Sequence, residues 1–177
     1  AWANSFTVGV SFDKLAENTD AFRVIMTSTS DTAKKIIIEL SKTESNRANV
    51  NFLISDNGVD TTIQSAEKVN FAWGIVAVNE ISFLRMDAGT ARLYFNRGTV
   101  IDFKTDETLN GFIDTNFDQG GTFTLQSLGD AKSAVMARGV SELVYMSDPA
   151  AGWKPGARNE NAEFVYGTDG SVGIVHT

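Results

Sequence analysis

The chain of 177 residues contains no cysteine and only one histidine. The absence of cysteine excludes a disulfide framework, zinc sites built from thiolates, and cysteine nucleophiles. The single histidine, His176, is the next-to-last residue, which disfavours a Ser-His-Asp triad and a histidine base for lyase chemistry. A chain of this length buries a hydrophobic core as one domain without metal or disulfide cross-links.

Positive charge and long apolar runs are also scarce. The chain carries 15 Lys and Arg against 22 Asp and Glu, a formal net charge of −7, and the basic residues are scattered. Nucleic-acid phosphates and anionic membranes would be repelled by such a chain. No apolar run approaches the roughly 20 residues that cross a bilayer, and no basic-then-apolar leader is visible. We expect no nucleic-acid partner and no membrane insertion.

The acidic residues lack the spacing of a glycoside hydrolase. Retaining hydrolases place two carboxylates about 5–5.5 Å apart, often as alternating acids on one strand face. No Glu-x-Asp-x-Glu segment occurs, and the acids Glu39, Glu80, Asp102 and Glu142 are each solitary on their predicted strands. We therefore predict a non-catalytic protein without a cofactor, with glycoside hydrolase or polysaccharide lyase as the less favoured alternative.

The dominant hydrophobic period of the chain is two residues, which is typical of half-buried strands. In SFTVGVSF, for example, apolar residues alternate with Thr, Gly and Ser. Further strand-like segments are FRVIMTSTS, KIIIELSK, NVNFLIS, VDTTIQS, GTFTLQSLG and VSELVYMS. Tight turns are predicted at Ser30-Asp31-Thr32 and at Asp56-Asn57-Gly58, where Asn and Gly tolerate positive φ.

The segment from Val69 to Phe103 is the densest apolar stretch. Val69, Phe71, Trp73, Ile75 and Ala77 are predicted to form one face of a strand that is interrupted at Asn79-Glu80. ISFLRM, ARLYF and TVIDF then form three antiparallel strands, joined by turns at Asp87-Ala88-Gly89 and Asn96-Arg97-Gly98. Trp73 is expected in the core.

Only two segments have a composition compatible with helix, Asp13–Ala21 and Asp130–Arg138, and each is predicted as a short helix or a loop. With ten or more short strands, the predicted fold is all-β: an antiparallel two-sheet β-sandwich of the jelly-roll kind. Residues 1–149 form the sandwich domain. Residues 150–177 form an irregular C-terminal extension ending in a hairpin around Asp169-Gly170, which either returns to the sandwich or adds a strand to a neighbouring subunit.

The run FAWGIVAVNEISFLRMDAGTARLYFNRGTV resembles the central segment of laminin G-like domains, which belong to the concanavalin A-like jelly rolls. The likeness lies in Trp73, Val76-Ala77-Val78, Leu93-Tyr94 and Asn96-Arg97-Gly98. ARGVSELVYMSDPA is similar to the closing strand of that family, and with NSFTVGVSF the likeness covers about residues 5 to 150. The resemblance implies recognition of a glycan or protein, or a structural role.

Candidate binding residues are an exposed aromatic and its basic neighbours. Trp153 lies in a polar Gly/Pro-bracketed segment with Lys154 and Arg158, where it either stacks on a ligand or docks the tail. Asn96 and Arg97, in a predicted turn at the rim of the sandwich, complete the predicted ligand-binding set. No metal site is predicted.

Calcium is the one cation for which the resemblance and the acidic turns suggest a binding site. Asp56-Asn57-Gly58, or Asp114-Thr115-Asn116 with Asp118, could supply oxygen ligands. The same residue types occur in turns for conformational reasons, and the turn interpretation is favoured.

Two functions are therefore expected. The first is a non-catalytic recognition or attachment module that binds a glycan or protein partner at an extracellular or virion surface. The second is a structural virion protein, a capsid decoration or tail-fibre component, whose tail contacts neighbouring subunits in a homo-oligomer or capsid lattice. The fold alone does not choose between them.

Overall fold

The computed structural model describes residues 6–14, 21–44, 46–72, 74–85, 89–118, 121–128, 132–138, 144–146, 162–166 and 171–176. Strands dominate these residues. In chain order they are β1 (Phe6–Lys14), β2 (Ala21–Ser28), β3 (Lys34–Glu44), β4 (Arg47–Asp56), β5 (Val59–Asn70), β6 (Gly74–Arg85), β7 (Thr90–Phe95), β8 (Gly98–Thr105), β9 (Gly121–Leu128), β10 (Lys132–Arg138), β11 (Val144–Met146), β12 (Ala162–Tyr166) and β13 (Ser171–His176). Helix α1 (Glu107–Asn116) lies between β8 and β9. Within these described ranges, no helix has the length and apolar character needed to cross a bilayer.

The strands form two antiparallel sheets, which confirms the predicted all-β sandwich. One sheet has six strands in the order β11-β10-β1-β6-β7-β8, and the other has seven in the order β12-β13-β9-β2-β3-β4-β5. β1 pairs with β10, and β2 pairs with β9. Early strands of the chain therefore pair with late strands in both sheets. Strands β5 and β8 end their sheets on the same side of the sandwich, where they approach each other.

The core fills the space between the sheets with the alternating apolar side chains that the two-residue period predicted. Phe52 on β4 contacts Phe83 on β6 and Phe103 on β8, with ring centroids 5.3 Å and 4.7 Å away. Phe52 and Phe83 are fully buried. Since Phe52 belongs to one sheet and the other two rings to the opposite sheet, this cluster holds the two layers together.

Two hairpin turns form where the sequence predicts them. Asp56 pairs with Val59 around Asn57 and Gly58, whose φ angles are 51° and 82°. Positive φ at both central residues is characteristic of the type I′ turn, whose twist matches that of the flanking strands. Asn and Gly adopt this conformation at low cost. The turn at Asn96-Arg97 has the same form, with φ of 52° and 67°.

Helix α1 was missed by the sequence prediction. Asp106 caps it, its side chain accepting a hydrogen bond from the Leu109 amide at 2.9 Å. Leu109 and Ile113 lie one turn apart and are buried against the core. Arg85, at the end of β6, donates to Asn110 at 2.9 Å and contacts Asp114 at 2.8 Å, which ties the helix to the six-stranded sheet.

Two further sequence predictions were wrong. Asp130–Arg138 was predicted as a helix or loop, but Lys132–Arg138 is strand β10, because its pairing with β1 outweighs the helix propensity of its Ala and Met residues. Val69–Ala77 was predicted as one strand interrupted at Asn79-Glu80. Instead β5 ends at Asn70, and β6 runs unbroken from Gly74 to Arg85.

The C-terminal strands extend the seven-stranded sheet, since β12 pairs antiparallel with β13, and β13 pairs with β9 of the same chain. The predicted turn at Asp169-Gly170 lies outside the described residues. The division of the chain at residues 149 and 150 stays a prediction.

Candidate functional site

The two predicted rim residues, Asn96 and Arg97, lie beside a groove between the free edges of the two sheets. We call it the edge groove. It has a volume of about 640 Å³. Its lining comprises Ala66–Ala72 from β5 and the following connection, Phe95 and Asn96 from the end of β7 and its turn, and Gly98–Val100 from β8. Arg97 is 89% exposed, and its Nε lies 3.8 Å from the Glu80 carboxylate.

Asn96 has mainly a structural role in this groove. Its Oδ1 accepts from the Glu80 amide at 2.9 Å, and its Nδ2 donates to Oδ1 of Asn79 at 2.9 Å. Asn79 is fully buried and also pairs with both backbone groups of Ala72. The polar atoms of Asn96 therefore tie the turn to β6, and Asn79 in turn ties β6 to the β5–β6 connection.

A second concave surface lies on the outer face of the seven-stranded sheet, on the side away from the core. We call it the outer trough, and its volume is about 430 Å³. It is lined by Arg23, Ile25 and Thr27 on β2, Lys35 and Ile37 on β3, Ser55 on β4, Gly58 and Asp60 at the β4–β5 hairpin, and Thr124 and Gln126 on β9. Side chains from five adjacent strands line this surface.

Strand register arranges the outer face of the sheet in three rows that run across the strands, and only some members of each row line the trough. The first row is polar and contains Thr122, Thr27, Lys35, Ser55 and Asp60. The middle row has an apolar centre and contains Thr124, Ile25, Ile37, Leu53 and Thr62. The third row is again polar and contains Gln126, Arg23, Glu39, Asn51 and Ser65. Polar side chains thus border an apolar strip on both sides.

The apolar strip lies at the bottom of the trough. Ile25 is 9% exposed and Ile37 is 4% exposed, although both point away from the core between the sheets. Residues on the open face of a sheet are normally wet. The flanking polar side chains therefore cover much of these two residues, and the accessible lining of the trough is mainly hydrogen-bonding groups.

An ion pair between Arg23 and Glu39 stands in the third row. Nε and one terminal nitrogen of Arg23 each lie 2.6 Å from Oε2 of Glu39. The side chains are 26% and 19% exposed, respectively, so packing holds the pair in place while one side still reaches solvent. The guanidinium carries further N–H donors that this pair does not use. A fixed charged pair of this kind offers both donors and acceptors to an uncharged ligand.

The six-stranded sheet carries a similar but more open pair on its outer face. Arg92 Nε lies 3.7 Å from Asp102 Oδ2, and the two side chains are 44% and 43% exposed. A hydrogen bond that the Arg92 guanidinium donates to the Tyr94 side chain, together with the Asp102 charge, raises the pKa of Arg92 above its ordinary value. No described cavity is lined by this pair, which makes it a matched control for Arg23 and Glu39.

The residues considered for calcium have other roles in the structure. Asn57 and Gly58 form the β4–β5 turn, and Asp56 pairs with Lys34. Asp114 contacts Arg85 from the last turn of α1. In the part of the chain that the structure describes, no three His, Asp or Glu side chains are grouped to hold a metal ion.

Trp153, Lys154 and Arg158, as well as Trp73, lie outside the described residues. The structure therefore brings together only Asn96 and Arg97 of the predicted set. The outer trough was missed because its residues are dispersed over β2, β3, β4, β5 and β9, and only register places them side by side. The signal in the sequence was the set of polar residues that alternate with core residues along these strands, such as Arg23 and Glu39.

No protein family model matches the chain, and no curated protein matches it.

Proposed function

We propose that the protein is a non-catalytic recognition module that binds an uncharged glycan in the outer trough. The observation that carries the proposal is the lining of the trough, in which hydrogen-bonding side chains from five strands surround two nearly buried isoleucines, Ile25 and Ile37. A sugar has the complementary character, since each of its hydroxyls both donates and accepts hydrogen bonds. Well-placed polar groups of this kind give a ligand site its specificity.

The charges of the outer trough support an uncharged ligand. Arg23 is paired with Glu39, and the remaining charges, Lys35 and Asp60, are of opposite sign. The whole chain has a net charge of −7, so a sulfated or uronic acid polymer would meet repulsion at long range. A lipid would instead require a deep and wholly apolar pocket.

The arrangement of carboxylates supports binding without hydrolysis. Among the residues that line the outer trough Asp60 on β5 is the one acid, and Glu39 on β3 lies two strands away in a different row. The Glu39 carboxylate is held by Arg23. A hydrolase needs one acid that keeps its proton near neutral pH and a second carboxylate at a defined separation. As part of the same proposal, the module acts at an extracellular or virion surface.

An array of immobilised neutral and acidic glycans tests the proposal. The wild-type chain is compared with Arg23→Ala and Lys35→Ala in the outer trough and with Arg92→Ala on the opposite sheet. We expect neutral glycans to be bound, with a loss of about tenfold or more for the trough variants, as removal of one charge-assisted hydrogen bond predicts. The Arg92→Ala variant should bind as the wild type does. A silent array, or equal losses in all three variants, would refute the proposal.

A structural role in a virion is the alternative, and the edge groove favours it. Val69, Val100 and Ala66 are only partly buried there, between the terminal strands of the two sheets. A neighbouring subunit that covered them would protect this apolar surface and the free strand edges. Sedimentation equilibrium distinguishes the alternatives, because a structural subunit should self-associate through this edge and Val100→Asp should abolish the association.

A further inference from the structure

Strands β5 and β8 are the edge strands on one side of the sandwich, one in each sheet. The outer edge of such a strand carries unpaired backbone N–H and C=O groups, to which a strand of another molecule can pair. Each of the two strands departs twice from regular pairing with its inner neighbour. At all four places the extra residue belongs to the edge strand, so both edges are bulged.

On β5, the bulge beside the edge groove has two residues, Glu67 and Lys68, opposite the single residue Asn49 of β4. Lys68 has a φ of 54°, far from the extended conformation of a strand. Its amide donates to Oδ1 of Asn49 at 3.2 Å, and its carbonyl accepts from Arg47 at 3.0 Å. The second bulge of β5 has its extra residue at Ile63. Both backbone groups of Lys68 are therefore held by side chains of β4.

Strand β8 repeats this arrangement in the other sheet. Its pairing with β7 shifts by one residue between Asp102 and Lys104, where Phe103 is the extra residue. Lys104 has a φ of 52°, and its amide donates to Oδ1 of Asp102 at 2.9 Å. The second bulge of β8 has its extra residue at Val100. Each edge strand thus has a lysine at positive φ whose amide is bonded to an Asn or Asp side chain.

The two lysines make their bulges unsuitable for an added strand. Positive φ is uncommon for residues other than glycine, and it interrupts the extended backbone that a ladder needs. Lys68 and Lys104 are both exposed, so an added strand would also have to cover an ammonium group. Bulges and edge lysines are two of the ways in which natural sheets prevent pairing between edges.

We infer that these bulges close this side of the sandwich to strand addition, so that neither β5 nor β8 pairs with a strand of a second copy of this chain. The closure does not depend on which ligand the outer trough binds. A subunit that covered the edge groove, in the alternative role above, would have to bind through side chains such as Val69 and Val100 and not through backbone pairing.

Deletion of one residue from each bulge tests the inference. Without Lys68, the pairs on either side of the bulge would keep their partners and the ladder would become regular. Without Lys104, Phe103 would lie opposite Ala91, and both of these side chains are already buried. In sedimentation equilibrium we expect each deletion variant to associate about tenfold or more tightly than the wild type, because a regular edge can pair.

Lys68→Gly and Lys104→Gly are the matched controls. They remove the charge but keep the bulge, since glycine adopts positive φ readily, and they should associate no more than the wild type. Deletion variants that keep the circular dichroism spectrum of the wild type and associate no more than it does would overturn the inference. Glycine variants that associate as tightly as the deletion variants would also overturn it, because the charge and not the bulge would then protect the edge.

A second measurement uses the wild-type chain and does not require the deletion variants to fold. The probe is a synthetic peptide of residues 59–70 that lacks Lys68, so that it can form a regular strand. In an NMR titration we expect no binding up to about 1 mM peptide. Saturable shifts of the amide signals of β5 or β8 would show that a strand can add to this edge and would overturn the inference.

Discussion

The side chain of Asn79 pairs with the backbone of Ala72 as a neighbouring strand would. Its Nδ2 donates to the Ala72 carbonyl at 2.8 Å, and its Oδ1 accepts from the Ala72 amide at 2.7 Å. Ala72 lies in the short connection where the chain leaves one sheet and enters the other. One buried side chain thus replaces the ladder hydrogen bonds that the crossover lacks.

Replacement of Asn79 by alanine is expected to lower the free energy of unfolding by about 2–3 kcal/mol, because both backbone groups of Ala72 lose their partner in a partly buried site. Urea denaturation measures the loss. Asn70→Ala, at an exposed position nearby, should change stability by about 0.5 kcal/mol or less. Equal effects of the two substitutions would show that the Asn79 pairing contributes nothing specific.

The Phe52 cluster provides a test of the packing between the sheets. Phe52→Ala should lower the free energy of unfolding by about 3–5 kcal/mol, because it removes a fully buried ring that contacts the opposite sheet. Phe52→Leu retains most of the volume and should cost about 1.5 kcal/mol or less. A loss below about 1 kcal/mol for Phe52→Ala would mean that this ring does not pack between the sheets.

The N-cap of helix α1 provides a local test. Asp106→Ala should lower the free energy of unfolding by about 1 kcal/mol, because the Leu109 amide loses its acceptor. Asp106→Ser should retain most of the stability, since a serine hydroxyl can cap the same amide. Thermal unfolding of the three proteins measures the difference. If serine and alanine destabilise equally, Asp106 does not act as a cap.

Binding of an uncharged glycan should depend little on salt. Screening at higher ionic strength weakens interactions between charged partners, and an uncharged ligand offers none. We expect the dissociation constant to change by less than about twofold between about 0.05 and 0.5 M sodium chloride. A steep loss of affinity with salt would identify an ionic ligand and contradict the charge argument.

The fold followed from the sequence where local pattern and tertiary packing agree. β2, β3 and β4 alternate clearly, and the turn at Asn57-Gly58 has the residues that positive φ requires. Helix α1 was missed because Gly111 and several short polar residues lower its propensity, although Asp106 and the Leu109–Ile113 spacing were available signals.

The sites were less predictable than the fold. Asn96 was correctly placed in a turn, but its bonds to Asn79 and Glu80 depend on strand β6, which the sequence prediction had interrupted at those residues. Arg23 and Glu39 are 16 residues apart and become neighbours only through the register of β2 and β3. Register depends on packing of the whole sheet, so single-strand patterns do not reveal a surface built across five strands.

The most direct test of glycan recognition in the outer trough is an NMR titration of the isotopically labelled chain with a linear neutral oligosaccharide that it binds. We predict that the amide signals of Arg23, Ile25, Ile37 and Thr124 shift together with saturable dose dependence, while those of Lys68–Ala72 and Asn96–Thr99 stay in place. Shifts confined to the edge groove, with the trough signals unmoved, would contradict the account.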